Sequence, residues 1–179
     1  MLVNHRGTAG SLANFQVAGV AKVRFARNGK GFFNGGTQTG GADVAEAFRV
    51  EGRIRAYRPG DVLVISDQSD RRVERSDEAY STRVIGVYAT KPGVLLTDRD
   101  INAGLKGHVP VGVIGVIPTK VSGENGPIRR GDMLVTAATA GHAMRGTDQD
   151  RMFGAVIGKA LAEFTGSGTG VIPVLVSLK

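Results

Sequence analysis

Residues Gly29–Gly41 read GKGFFNGGTQTGG, six glycines in thirteen positions, and run straight into Ala42-Asp43-Val44-Ala45-Glu46-Ala47-Phe48. The tract ends a thin, repetitive-looking N-terminal segment, and the Asp-x-x-Glu after it opens a conventional globular domain. A narrow stalk joined to a globular head, with two carboxylates at the joint, points to assembly or processing rather than to metabolism.

Before the joint, short apolar strings alternate with small residues. Val23 and Phe25 interleave with Lys22 and Arg24, the period-two pattern of a strand with one buried face. Asn28-Gly29 is a tight-turn signal. A lone hairpin is only marginally stable, so residues 1–41, if ordered, need partner chains. A fibre-type homotrimer is the natural geometry.

The whole chain, 179 residues, has room for one sizeable core and an appendage. Glycine reaches 27 residues and tryptophan is absent, a mixture that suits many turns and short strands better than a helical enzyme. Without cysteine there are no disulfides, thiolate metal sites or cysteine nucleophile. No stretch approaches the ~18 apolar residues of a membrane span. The net charge of +7 comes largely from scattered arginines with little aromatic interleaving, which reads as a solvated surface and not as a nucleic-acid site.

Beyond Ala42 a unit recurs. Arg58-Pro59-Gly60-Asp61-Val62-Leu63-Val64 is echoed 71 residues later by Arg129-Arg130-Gly131-Asp132-Met133-Leu134-Val135, and Val84-Ile85-Gly86-Val87 is echoed 72 later by Val156-Ile157-Gly158-Lys159. The offsets predict a tandem β-rich unit, roughly 48–98 and 109–179, each with a Gly-Asp turn launching a buried strand. Further strands are expected at Ile54–Tyr57, Val94–Leu96, Val109–Val121 and Val171–Val176. In Val111–Ile117, the glycines predict bends or close backbone contact. Helix is expected only at Asp43–Phe48 and in part of Ala155–Phe164. The fold class is mainly β: a short stalk, then an open-barrel or folded-sheet head.

Asp43 and Glu46, three apart on such a helical turn, would share a face and could couple as general acid and base. Helix capping is the plainer reading of the same residues. His5, His108 and His142 have no metal-ligand spacing, and no metal or cofactor is expected. Arg130-Gly131-Asp132 spells an adhesion tripeptide, but Pro59-Gly60-Asp61 at the equivalent place shows that the turn needs only Gly-Asp. The strings Gly123–Pro127 and Gly166–Gly170 lack the lysine, hydroxyl and following helix of a phosphate loop and read as hairpin loops.

Five landmarks in order resemble the intramolecular-chaperone autoproteolytic domain at the C-terminus of phage tail spikes and neck appendages, and of related bacterial fibrous proteins. They are the Ala42-Asp43-x-Ala45-Glu46 opening, the Pro59-Gly60-Asp61 strand, Val109-Pro110-Val111, Asn125-Gly126-Pro127 through Asp132, and Val156-Ile157-Gly158-Lys159-Ala160. The resemblance spans residues 41–179. It implies a homotrimer that registers a β-fibre and, in some members, cuts itself at the stalk junction within Ser-Asp-x-x-Glu. Asp43 and Glu46 match the acids implicated there, whereas the serine position is Ala42. An alanine has no hydroxyl to attack a carbonyl, so scission would need the Asp43 carboxylate or an activated water.

The reading is a stalk segment at 1–41 and a β-head at 42–179 that trimerises, registers and caps its own fibrous parent, on a virion or bacterial surface, without self-cleavage. One alternative is autoproteolysis near Ala42-Asp43 by Asp43 and Glu46. Another is a tip that binds a receptor or glycan through segments 66–80 and 97–108.

Overall fold

The structure, a computed structural model, describes residues 6–7, 9–100 and 102–178. It is almost entirely β, and it forms two compact units, Met1–Thr39 and Gly40–Lys179.

The first unit is a three-stranded antiparallel meander of β1 (Ser11–Val17), β2 (Val20–Ala26) and β3 (Gly31–Phe33). Ala18 and Gly19, both at positive φ, make the two-residue turn whose twist matches a hairpin. Asn28-Gly29 turns β2 into β3: the Gly29 N–H reaches the Ala26 carbonyl at 3.0 Å, and Gly29 sits at φ +82°. Register places Phe15, Val23 and Phe33 side by side on one face. Phe25 meets Phe33 edge-on at 5.9 Å. On the other face the Arg24 guanidinium lies 3.8 Å from the Phe32 ring centre. The alternation expected of β2 is present, but its apolar face is not covered: none of the described residues of this unit is buried.

The second unit is a ten-stranded sheet in the order β11-β10-β12-β13-β9-β7-β5-β6-β4-β8. Its strands are β4 (Asp43–Val50), β5 (Val62–Ile65), β6 (Arg72–Arg75), β7 (Val84–Tyr88), β8 (Val94–Leu96), β9 (His108–Ser122), β10 (Met133–Thr136), β11 (Ala143–Arg145), β12 (Val156–Ala160) and β13 (Thr169–Ser177). Two further pairings, β9 with β4 and β9 with β11, fold this sheet back onto its longest strand. The result is two five-membered closed circuits, β9-β7-β5-β6-β4 and β9-β13-β12-β10-β11, that share β9. Closure removes the exposed edges that a flat sheet of this size would present.

Both circuits are launched by the same turn. In the first, Asp61 accepts the Arg58 N–H at 2.7 Å, Gly60 adopts φ +82°, and the Gly60 N–H reaches the Tyr88 carbonyl at 2.9 Å. In the second, Asp132 accepts the Arg129 N–H at 2.8 Å, Gly131 adopts φ +89°, and its N–H reaches the Ala160 carbonyl at 2.8 Å. The strands that follow pair alike, Leu63 opposite Gly86 and Leu134 opposite Gly158, each with a bulge one residue on. Gly158 is required there, because a Cβ on it would lie 2.1 Å from the Leu175 carbonyl oxygen.

Three apolar clusters fill the unit. Leu63, Val73, Val109 and Val111 pack with Tyr57 in one. Ile117, Ile157, Ile172 and Val174 anchor the largest, to which Val62, Val64 and Val87 of the first circuit also belong. The third holds Val135, Met144 and Val156 beneath Tyr80. Tyr80, at φ +59°, joins the circuits through polar contacts as well: its hydroxyl accepts the N–H groups of Thr147 and Asp148 at 2.9 and 3.1 Å, and Arg151 caps its ring. Pro118 and Pro173 face each other across β9 and β13. The Lys120 N–H, two residues along the same edge as Pro118, points away from β13 to Gly60, so the missing proline donor costs this ladder nothing.

Several sequence expectations are corrected. Asp43–Phe48 is not helical; it forms most of β4, held on one side by β9 and on the other by β8 and β6. Ala155–Phe164 is likewise not helical and contains strand β12. Ile54–Ala56 is a 3-10 turn and not a strand, closed by Tyr57 N–H to Ile54 C=O at 3.0 Å, while the Tyr57 hydroxyl fastens it to the Glu51 carbonyl. The loop after Ser122 joins β9 to β10, which are not neighbours, so it is a crossover and not a hairpin.

The two Gly-Asp turns differ in one respect. The Asp61 side chain is 1% exposed and meets Lys120 Nζ at 2.6 Å, whereas Asp132 is 22% exposed and meets Arg145 Nε at 3.3 Å. Asp61→Ala strips a part-buried amide and a half-buried ammonium of their shared, fully buried acceptor and should cost about 2–4 kcal/mol. Asp132→Ala should cost about 1 kcal/mol, because solvent reaches its partners. Urea unfolding of both variants checks the order; equal losses would show that the ion pair adds nothing.

Candidate functional site at the start of β4

Ala42 is exposed, and Asp43 begins β4. The backbone here is gripped from both sides. A Cβ on Gly41 would lie 2.2 Å from the Gly93 nitrogen, and the Gly93 N–H donates to the Asp43 carbonyl at 2.8 Å. Opposite, Gly115 at φ +127° presses on the same peptide: a Cβ there would come within 2.4 Å of the Ala42 carbonyl oxygen. Only glycine fits either place, and the two fix the course of Gly41-Ala42-Asp43.

The Asp43 side chain turns inward. Its Oδ2 is shut off from solvent and meets no donor among the described residues. It lies over Gly112 together with Ala89 Cβ and Ile117 Cδ1, an apolar corner. Burial pushes the Asp43 carboxyl above its usual range. Desolvation of this kind is found at acid–base carboxyls and at structural ones alike.

Glu46 does not join it. Successive side chains of a strand alternate, so residues three apart point to opposite faces. Asp43 shares its face with Ala45, which is fully buried, while Glu46 shares its face with Phe48 and Val50. Glu46 lines instead a polar cavity with Arg49, Asp70, Arg71, Arg72, Asp98 and His108. The face-sharing pair expected from a helical turn is absent within one chain.

The remaining candidates resolve simply. His108 and His142 each place Nδ1 near a carbonyl two residues back, that of Lys106 and that of Ala140, while His5 lies outside the described residues. No group of three His, Asp or Glu side chains suited to a metal occurs among the described residues. Arg130 is exposed and bonds Glu163, and its neighbour Asp132 is spent on the turn. The two glycine strings close on each other, Gly123 N–H to Gly168 C=O at 2.9 Å, rather than cradling a ligand. Tyr80 and Glu124 escaped sequence reasoning. The Glu124 carboxylate is resisted by burial, yet the Thr139 hydroxyl and the N–H groups of Ala138 and Thr139 hold it below its usual range. Tyr80 stands in no motif, and Glu124 lies within the Gly123–Pro127 string with no spacing that singles out its carboxylate.

No protein-family model matches the chain, and no curated protein matches it in sequence. Among solved structures the chain is similar to the pre-mature form of bacteriophage phi29 gene product 12. The similarity has a TM-score of 0.63 at 17% identity, covering 88% of this chain and 25% of that one. The likeness is one of fold, and the present chain spans about a quarter of the phage protein's length.

An acid with a raised folded-state pKa binds its proton more tightly in the folded than in the unfolded chain. Stability therefore falls as pH rises through the unfolded value, near ~3.9, up to the folded one, and stays lowered above it. Asp43→Asn removes the burdened charge. Its melting temperature should equal that of the wild type near pH 4 and exceed it at pH 7. A variant less stable at pH 7 would mean that the Asp43 carboxylate has a favourable partner.

Proposed function

We propose that Gly40–Lys179 is a trimerising head that registers and caps a fibrous segment of its own parent chain, in the manner of a phage tail-spike or appendage chaperone domain. One observation carries the reading. The ladders β8–β4–β9–β13 bring Val94, Val44, Ile114, Val116 and Leu175 into one cross-strand band on a sheet face, and Lys159 of β12 separates Leu175 from Met133 of β10. Ile114 is 62% exposed, and Val94, Val116, Leu175 and Met133 are also open to solvent. An apolar band of this kind, running from β8 to β13, marks an interaction surface. It borders Asp43, opposite Gly115, so copies meeting there would gather their stalk entries together. The first unit makes the same demand, since Phe15, Phe25 and Phe33 have nothing over them. The fold likeness to a pre-mature phage gene product supports this family of roles.

Autoproteolysis at the joint is the second reading, favoured by the buried, unpartnered Asp43 carboxyl beside the exposed Ala42. It lacks two parts within one chain. Ala42 has no hydroxyl, and Glu46 faces away. Scission would have to use the Asp43 carboxyl, or a water it activates, on the adjoining peptide, with the amine leaving as it takes up a proton.

Light scattering after size exclusion should give a trimer for the whole chain and for 40–179, and a monomer for Ile114→Asp/Leu175→Asp. Monomers throughout would overturn the trimer reading. Over days at 37 °C the intact mass should persist. Two fragments meeting near Ala42-Asp43, lost in Asp43→Asn, would replace the capping reading by the proteolytic one.

A further inference from the structure

The apolar band from β8 to β13 has a charged residue at each flank, and the two are of opposite sign. Lys159 of β12 lies opposite Leu175, and Glu46 lies on β4 two residues beyond Val44, so strand alternation puts both on the face that carries the band. The ladders β12–β13, β13–β9 and β9–β4 stand between them. Three strand spacings amount to about 14 Å, so the two cannot meet within one copy. Neither makes a side-chain hydrogen bond or ion pair among the described residues.

Each flank also carries an apolar feature beside its charge. On one, Leu96 of β8 sits directly opposite Glu46 and is 50% exposed. On the other, Met133, Val156, Leu175 and Lys159 border a hollow of about 160 Å³, with room for one branched aliphatic side chain. The first flank thus presents an anion beside an apolar knob, and the second a cation beside an apolar hollow. Lys120, further along the β9–β13 part of this face, is already held by Asp61 at 2.6 Å. The arginines that border the polar cavity with Glu46 make no ion pair with it.

Covering the band while leaving Lys159 unanswered would strand an ammonium at a contact that excludes water, which is strongly unfavourable. A partner that covers it must therefore bring an anion to that point, and a second copy of this chain brings Glu46. The two flanks are different surfaces, so the contact between copies is head to tail. A closed ring of three is built from such contacts, each joining one patch to the other patch on the next copy. A two-fold pair would match the charges as well, but would use up both flanks in two copies.

We propose that Glu46 and Leu96 of one head dock on Lys159 and the adjoining hollow of the next, and that this pairing fixes the order of the copies around the ring. The pairing rests on the trimerising role and names the contact that would direct it. Glu46, which the strand turns away from Asp43, acquires a task in registration in place of one in catalysis.

The test uses the whole chain, by light scattering over a dilution series. Glu46→Lys and Lys159→Glu should each raise the concentration at which the trimer dissociates about tenfold or more, and combining them should restore it to within about threefold. Both side chains are unpartnered within one copy, so the circular dichroism of each variant should match the wild type, which separates lost docking from a lost fold. The chain has no cysteine, so Glu46→Cys/Lys159→Cys treated with a short bismaleimide reports the geometry. Covalent trimers should form, and neither single variant should cross-link. Products that stop at the dimer would overturn the head-to-tail order. A wild-type trimer indifferent to both reversals would overturn the pairing and leave the trimer reading standing, whereas a wild type monomeric at every concentration would overturn both.

Discussion

The head depends on the two-sided hydrogen bonding of β9. From His108 to Gly115 it pairs with β4, while its Val111 and Gly112 also face β7; from Ile114 to Ser122 it pairs with β13 and, at Val121, with β11, so that Ile114 and Gly115 are paired on both sides. A straight fifteen-residue strand could not serve two circuits, because its flanking ladders would have to run on past each other. The change of direction is made between Gly112 and Gly115, where β9 carries one residue more than β4. Side chains are excluded at this point by contact as much as by conformation. A Cβ on Gly112 would meet Ile117 Cδ1 at 2.1 Å, and one on Gly86 would meet the Gly112 carbonyl oxygen at 2.4 Å. The chain's high glycine content is thus partly the cost of letting two closed sheets share a strand.

That constraint also places the candidate site. Gly115 is both the bend in β9 and the surface against which Ala42-Asp43 rests. Gly112 is both the bulge and the floor beneath the Asp43 carboxyl. The acid is desolvated because β4 must enter where β9 bends, and the start of β4 is consequently one of the most closely gripped backbone segments of the second unit.

Legibility in the sequence followed the range of the interactions. The Gly-Asp turns were readable because each is closed within four residues, and Asn28-Gly29 was readable for the same reason. Val109–Val121 and Val171–Val176 were readable as strands because buried β-branched runs have few alternatives. Asp43–Phe48 misled because Ala, Glu and Asp at helical spacing carry a real local preference, which three neighbouring strands override. Ile54–Tyr57 misled because an apolar-polar alternation says nothing about whether an edge is free to pair. Asp43 was found as a site residue from its motif, but its separation from Glu46 follows from the strand and could not be seen without it. The polar cavity was reached only in pieces: segments 66–80 and 97–108 supply Asp70, Arg71, Arg72, Asp98 and His108, but no window of sequence joins them to Glu46.

The charge distribution bears on how the two units would cooperate in the proposed assembly. Residues 6–39 contain Arg6, Lys22, Arg24, Arg27 and Lys30 and no Asp or Glu, so most of the net charge of +7 belongs to the smaller unit. Copies of that sheet repel one another, and none has a core to offset the repulsion. Arg24 and Lys30 soften the conflict by lying over Phe32, where the ring face takes up part of their charge. Association of such strands from dilute solution would have to overcome both the entropy of ordering them and their mutual field. A head that is nearly neutral, folds on its own core and presents an apolar band removes the first obstacle by holding the strands at high local concentration. The stalk then needs only enough apolar contact among Phe15, Phe25 and Phe33 to exceed its own repulsion, which is a far smaller requirement than nucleating the bundle unaided.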